Sequence, residues 1–355
     1  MINLNHYFPT PKLLLMPSFA LDISDKSIKY GELKMGSKGL YLGRFGKKEI
    51  PEGVIISGKI EKESQLIKML KELRKEQNLH FVRVALPEEQ IYLFNISLPK
   101  EVGDIREAIL LQLEEYVPLG AEEVLFDYEI VSVIKGNILT QVTAIPEVVV
   151  QKHLNVFEKA GLFPISFELE GQAVARAVIP KGNKEALMVV DFGETRTGIS
   201  IVNNEKVSFT STVDMGGDIL TKMIAKNFSI SYEEAEELKI EYCTKKNTEK
   251  ENIFPIILNG LSVLRDELNK HFVYWHTHNN ELGKKHKPIK KIILCGGNTN
   301  IPGLTEYIAT SMKVEVENAD VWINISKDRI PDMLYEESLG YSTILGLALG
   351  EHLYD

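Results

Sequence analysis

The chain of 355 residues is long enough for two domains or one large bilobal body, and its 44% apolar and 26% charged residues are a globular balance. A net charge of −9, with no long basic stripe, argues against a general nucleic-acid binder. Cys243 and Cys295 stand far apart with no Cys-x-x-Cys, which argues against a disulfide scaffold or a zinc site and fits a reducing cytoplasm. No stretch approaches the roughly 20 apolar residues of a membrane span. Leu13 to Met16 meets Pro17 too soon for a signal peptide or anchor, and the closing "LGLALGEHLYD" is too short for an amphipathic membrane helix. The expectation is a soluble protein without direct membrane insertion.

Residues 1–16 read as a loose arm. "SFALDISDKSIKYGELK" alternates as a strand, a polar turn at Ser24 to Ser27, and a second strand. Residues 62–77 read as a charged helix and "HFVRVALP" as a strand ending at Pro87. Over 88–165 the pattern is strand, helix, two strands, helix, strand. Its first helix opens with an Asp104/Glu107 capping pattern and its second stops at Gly161. That β-α-β-β-α-β order is compact enough for a subdomain.

"ALMVVDFGETRTGISIVNNEKV" then gives a buried strand to Asp191, a turn containing Gly193, and a second strand from Thr197. "STVDMGGDILTKMIAKNF" is a Gly-Gly turn, Gly216-Gly217, leading into a helix, and "SYEEAEELKIEY" is a helix with a Ser231/Glu234 capping box. Residues 251–278 form a long helix whose stripe from Ile253 to Trp275 is core-forming. "KKIILCGGNTNIPGLTEYI" is a strand, the turn Gly296-Gly297 and a helix. His271, His276 and His278 lack the i, i+4 pairing of metal ligands and read as a solvated helix end.

The segments 19–34 and 187–207 share one plan of strand, Asp, short turn and strand, with Asp22 and Asp191 in equivalent places. A carboxylate at a strand end beside such a turn can face a metal ion while the turn's N–H groups face phosphate. Taken alone, Asp191 is better read as an ordinary Asp in a hairpin turn. Two such hairpins facing one another could pinch a phosphate chain and its Mg²⁺, with the Gly-Gly turns giving close backbone approach at helix N-termini.

The order of these loops resembles the actin-like ATPase superfamily. Within it the chain is similar to the PilM family of type IV pilus assembly proteins, relatives of FtsA, over residues 17–350. "REAILLQLEEYVPLGAEEVLFDYEIV" carries much of that resemblance. The resemblance implies an α/β, bilobal actin-like ATPase fold with two mixed sheets and an inserted βαββαβ subdomain. The implied divisions are a first lobe core at 17–87, a partner-binding subdomain at 88–165, and a crossing segment with the start of the second lobe at 166–222. A helical nucleotide-side subdomain at 223–289, the second lobe's return at 290–330 and a C-terminal return to the first lobe at 331–355 follow.

Carried onto this sequence, the resemblance places Asp22, Ser24 and Lys29 in the first phosphate hairpin and Asp191, Gly193 and Thr197 in the second, with Asp22 and Asp191 reaching Mg²⁺ through water. Gly216 and Gly217 would supply a close backbone approach. Glu236 and Lys239 match the ribose-side helix, and Gly296, Gly297 and Asn298 the adenosine turn. Glu170 sits where an acid lies near the attacking water. ATP or ADP with Mg²⁺ are the implied ligands. The implied partner is the cytoplasmic N-terminal tail of a PilN-like inner-membrane protein, which would hold this chain in the cytoplasm at that membrane. Self-association into a ring or filament is left open.

Two departures stand out. Ser24-Asp25 replaces the glycine and small residues usual in the first hairpin, and Glu194 replaces a small residue in the second. Both add negative charge to an anion site, so the expectation is weak binding and at most slow hydrolysis. A cell-division protein like FtsA and a small-molecule kinase of the same fold are the alternatives. Asp-Phe-Gly is also a protein-kinase phrase, but the accompanying kinase motifs are missing.

Overall fold

The computed structural model describes residues 18–134, 136–244, 253–279 and 283–350. The expected arm at 1–16 and the first two residues of the expected 251–278 helix lie outside them. The first sheet has five strands in the order Phe163–Leu169, Phe81–Leu86, Ser18–Ile23, Ser27–Gly36, Gly39–Glu49. Its last three are antiparallel neighbours, and its first three run parallel. Side chains alternate across a strand. Phe19 and Leu21 therefore enter the outer core with helices Glu63–Gln77 and Glu147–Ala160, while Ala20 faces inward. Asp22 shares Ala20's parity and so ends the strand on the inner face.

The second sheet repeats the plan in the order Lys206–Val213, Thr197–Asn203, Ala186–Phe192, Ile289–Cys295, Glu315–Asn318. Three strands are again antiparallel and the remaining pairings parallel. Met188, Val190 and Phe192 enter the outer core beside Gly217–Phe228, Ile253–Thr277 and Leu304–Met312, while Leu187 and Val189 face inward. The same parity turns Asp191 inward. The half-repeat in the sequence is thus a repeat of whole sheets, and it aims two aspartates at each other.

Two helices fill the space between the sheets. Glu170–Val178 packs on the second sheet and Ser342–Gly350 on the first. The latter is buried along its whole length. It also lies close: a β-carbon on Gly346 would stand 1.7 Å from the Ala173 carbonyl oxygen.

The inserted segment has its own three-stranded sheet, ordered Tyr92–Pro99, Asn137–Pro146, Val124–Ile134, covered by the short helices Ile105–Leu110 and Leu113–Tyr116. The Asp104 carboxylate caps the first of these, accepting from the Arg106 and Glu107 amides. The six elements expected over 88–165 follow in order. Their last helix and strand leave the small sheet, however, and return to the first lobe, because Phe163–Leu169 pairs with Phe81–Leu86. Gly161 stops that helix in the left-handed region at φ 75°.

Candidate functional site

The inner strand ends open onto a cleft of about 790 Å³ between the lobes. Asp22, Asp191 and Glu170, the first residue of the crossing helix, all line it. Lys29 stands directly opposite Asp22 in the ladder, and Gly198 opposite Asp191. Desolvation pushes the Asp191 carboxyl up to about 6, with Lys29 opposing and Asp22 adding to the shift. Burial also raises Asp22, against the pull of Lys29 and Arg196. Glu170 is held well above the carboxylate range by desolvation and by the charges of Asp22 and Asp191. Three acids converge where an incoming cation would relieve all of them.

The first hairpin answers the charge question posed by its sequence. Its turn closes through the Ser24 amide to the Ser27 carbonyl at 2.9 Å, and the Ser27 amide donates to Ser24 Oγ at 3.3 Å. Asp25 turns away from the phosphate position. Its carboxylate accepts from the amides of Ser57 at 3.1 Å and Gly58 at 2.9 Å, and Arg196 Nη2 lies 3.9 Å from Oδ1. The expected repulsion is therefore largely compensated before any ligand arrives.

In the second hairpin the Gly193 amide donates to the Arg196 carbonyl at 3.0 Å, leaving the amides of Glu194 and Thr195 outside the strand ladder. Asn298 bolts the other turn to it, its Nδ2 donating to the Gly193 carbonyl at 2.9 Å and its amide to the Phe192 carbonyl at 3.1 Å. Gly296 has φ +91°, and a β-carbon there would come within 2.4 Å of Asp191 Oδ1. Gly297 has no atom within 4 Å of its would-be β-carbon and borders the cleft.

Three expected residues stand behind the wall instead of on it. The amides of Gly217 and Asp218 donate to the carbonyls of Gly193 and Glu194, so this helix N-terminus is capped by the hairpin and is not offered to an anion. A β-carbon on Gly216 would lie 2.4 Å from the Glu194 carbonyl oxygen, so Gly216 is there for packing. Fully buried Thr197 donates its hydroxyl to the Met215 carbonyl at 2.5 Å. These residues hold the hairpin in place and do not contact the cleft.

On the far wall, Lys239 Nζ meets Glu236 Oε2 at 2.8 Å, Thr221 Oγ1 at 2.9 Å and the Gly217 carbonyl at 3.2 Å. Their helix, Tyr232–Thr244, is opened by the expected box, with the Ser231 amide on Glu234 Oε2 and the Glu234 amide on Ser231 Oγ. Lys26, from the first hairpin, lies 6.0 Å over the Tyr232 ring across the cleft. Lys26, Glu88, Arg196 and Tyr232 line the cleft without having been selected from the sequence. The available signals were an arginine inside "GETRTG" and an acidic pair just past a strand's carboxyl end, where open α/β sheets bind ligands.

This wall fits a magnesium nucleotide. Gly297 leaves open space for close backbone approach, Gly296 packs its turn against Asp191 and Phe192, Lys29 and Arg196 offset the acids, and Glu88 Oε2 is buried with no hydrogen-bond partner. Among the described residues no cluster of three or more His, Cys, Asp or Glu is arranged to hold a metal directly. Mg²⁺ commonly keeps several waters and takes one or two carboxylates, which matches Asp22 and Asp191.

Two sheets of one plan, two facing aspartate hairpins and a cleft between them define an actin-like ATPase fold. The chain matches the family model for the type IV pilus assembly protein PilM over residues 20–352, and it belongs to that family. The structure is similar to that of a PilM–PilN type IV pilus biogenesis complex, at a TM-score of 0.78 and 22% identity over 95% of this chain and 99% of that one. It also resembles MreB5 of Spiroplasma citri bound to ADP, at a TM-score of 0.58 and 12% identity over 95% and 96% of the two chains. At these identities the likeness shows the fold. Cell division protein FtsA of Streptococcus pneumoniae is 24% identical over 239 residues, 62% of this chain, and FtsA of Enterococcus faecalis 28% over 120 residues, 33% of it. The matches span 51% and 27% of those relatives' own length. No helix among the described residues is long and apolar enough to cross a membrane.

Proposed function

We propose that this chain is a nucleotide-binding scaffold of a type IV pilus or related secretion machine, working in the cytoplasm and recruited by the cytoplasmic tail of a PilN-like inner-membrane partner. The observation that carries the nucleotide half is the pair of inward aspartates, Asp22 and Asp191, facing one cleft with Gly296-Gly297 bolted beside the second. When bound, Mg²⁺ supplies positive charge to the phosphate chain and lowers the cost of ionising the acids around it.

The residues have separable tasks in this reading. Lys29 balances Asp22, the free amides of the second hairpin receive phosphate oxygens, and Gly297 with Asn298 borders the adenosine. Glu236 and Lys239, fixed by Thr221, face the ribose. Glu170 positions water. Burial and the charges of Asp22 and Asp191 push its carboxyl well above the usual carboxylate range, which disfavours the ionised form a base needs until the acids beside it are compensated and supports weak hydrolysis at most.

The partner half rests on the family, on the small sheet that stands out from the actin-like lobes, and on the similar PilM–PilN complex. An extended tail would bind beside that sheet through backbone contacts and apolar anchors. Isothermal calorimetry with ATP and ADP, each with and without Mg²⁺, tests the first half. A peptide copying the partner's tail, titrated against the full chain, tests the second. Heats indistinguishable from dilution in the nucleotide series would leave a scaffold that kept the fold and lost its ligand.

A further inference from the structure

One side chain lining the cleft ties the two lobes to the turn that leads into the small sheet. Arg196 belongs to the turn of the second hairpin, yet its guanidinium reaches the first lobe. Nη1 lies 2.8 Å from Glu89 Oε1 and Nη2 lies 3.9 Å from Asp25 Oδ1, with the side chain 13% exposed. The Nη1 contact is off line for a hydrogen bond, so a buried donor stays unsatisfied. Such a donor gains most from an acceptor that can meet it squarely.

The three residues beside it are each held by a different element. Glu88 Oε1 accepts the Gly171 amide of the crossing helix at 2.9 Å, Glu89 meets Arg196, and Gln90 Nε2 donates to the Gly58 carbonyl at 2.9 Å. Immediately beyond this turn begins Tyr92–Pro99, the first strand of the small sheet. On the turn's other side lies a second cavity of about 330 Å³, walled by Tyr92, Phe94 and Tyr116 of the small subdomain and by Thr210 to Thr212 of the second sheet's edge strand. Glu88 and Thr212 belong to the walls of both cavities. The Glu88–Gln90 turn is a partition with the phosphate end of the cleft on one face and the subdomain groove on the other.

We propose that Arg196 reads the terminal phosphate of a nucleoside triphosphate and, by letting go of Glu89, passes its presence through the Glu88–Gln90 turn to the groove of the small subdomain. This rests on the nucleotide-binding reading of the cleft. A guanidinium is always charged, and its planar fork matches phosphate oxygens bidentately, a better arrangement than one misaligned carboxylate and one at 3.9 Å. A triphosphate reaching between the hairpins draws Arg196 toward it, whereas a diphosphate ends one phosphate short. Glu89, left beside Glu88 and Asp25 without its cation, then loosens the turn.

Hydrogen–deuterium exchange on the full chain tests this, with calorimetry on the same samples. In the parent protein, saturating Mg-AMPPNP should raise exchange over residues 88–93 several-fold, and saturating Mg-ADP should leave it near the nucleotide-free level. Arg196→Gln should show the raised exchange without nucleotide and lose about tenfold more affinity for Mg-AMPPNP than for Mg-ADP. Glu89→Gln, which frees the turn from the other side and removes the contact a triphosphate must break, should raise exchange there while binding Mg-AMPPNP at least as tightly as the parent, and it serves should Arg196→Gln fail to fold. Equal exchange with both nucleotides in a parent that binds both would overturn the inference and leave the nucleotide reading intact. Unchanged exchange over 88–93 in the variants would also overturn it. A parent that binds neither nucleotide defeats the reading of the cleft, and the phosphate sensor with it.

Discussion

Replacing Glu88 by Gln should stabilise this protein, by an amount that grows with pH. Glu88 is 9% exposed, and burial lifts its carboxyl from 4.5 to about 8, helped by the charges of Glu89 and Asp191 and opposed by the Gly171 amide and Arg196. Between those values the unfolded chain has released the proton while the folded chain still holds it. The folded state therefore loses ground as pH rises through that window. At 1.36 kcal/mol per unit, the cost is under about 1 kcal/mol at pH 5, about 3 at pH 7 and about 5 above pH 8. Gln carries no such cost and can still accept the Gly171 amide, 2.9 Å from Oε1. Urea unfolding of parent and variant at pH 5, 7 and 8.5 would measure the difference. A gain that does not change with pH, or a variant weaker than the parent at pH 8.5, would refute the assignment of Glu88 as a buried neutral acid.

Asp191→Ala should weaken Mg-ATP binding more than metal-free ATP binding in calorimetry. Because that carboxyl ionises near 6, the magnesium-dependent part of the affinity in the parent should fall about tenfold per pH unit below that value. Asp25→Ala removes the acceptor of two amides, of which only the Ser57 one can turn to water, and should cost roughly 2 kcal/mol in unfolding free energy without tightening ATP. Thr197→Val strands the buried Met215 carbonyl and should cost about 1–3 kcal/mol, read from the thermal midpoint, with nucleotide binding lost only as the hairpin shifts. Gly346→Ala overpacks two helices and should fall at or beyond the upper end of about 1–3 kcal/mol in the same assay.

Much of the scaffold was legible along the chain. Asp22 and Asp191 each stand next to last in a strand whose alternation already fixes the face they take, and a repeated plan of strand, Asp and turn marks two equivalent sheets. Caps at Asp104, Ser231 and Gly161 are local devices and were readable for that reason. Contacts that depend on distant residues were not. Asp25 looked repulsive in isolation because the amides that neutralise it lie 32 and 33 positions away, at Ser57 and Gly58. Gly216, Gly217 and Thr197 sit in a loop order that resembles phosphate binding, but the Gly217 amide is spent on the hairpin, the Thr197 hydroxyl on Met215, and Gly216 packs against Glu194. Glu88 and Arg196 carry only weak signals, an acidic pair past a strand end and an arginine in a turn. Their position follows from how the two lobes meet, which no local pattern encodes.

The meeting of Gly346 with Ala173 bears on how wide the cleft is. An ordinary carbon-to-oxygen contact is about 3.3 Å or more, and a β-carbon at position 346 would stand at 1.7 Å, so any side chain there must part the two helices by more than about an ångström. One helix rides on the sheet that carries Asp22, and the other begins at Glu170 and rides on the sheet that carries Asp191. Parting them would strain the packing of both sheets on these helices, and with it the spacing of the two hairpins. The spacing of the two aspartates is thus gauged partway along the helices between them, one turn past Glu170, where a single missing methyl group sets the gap.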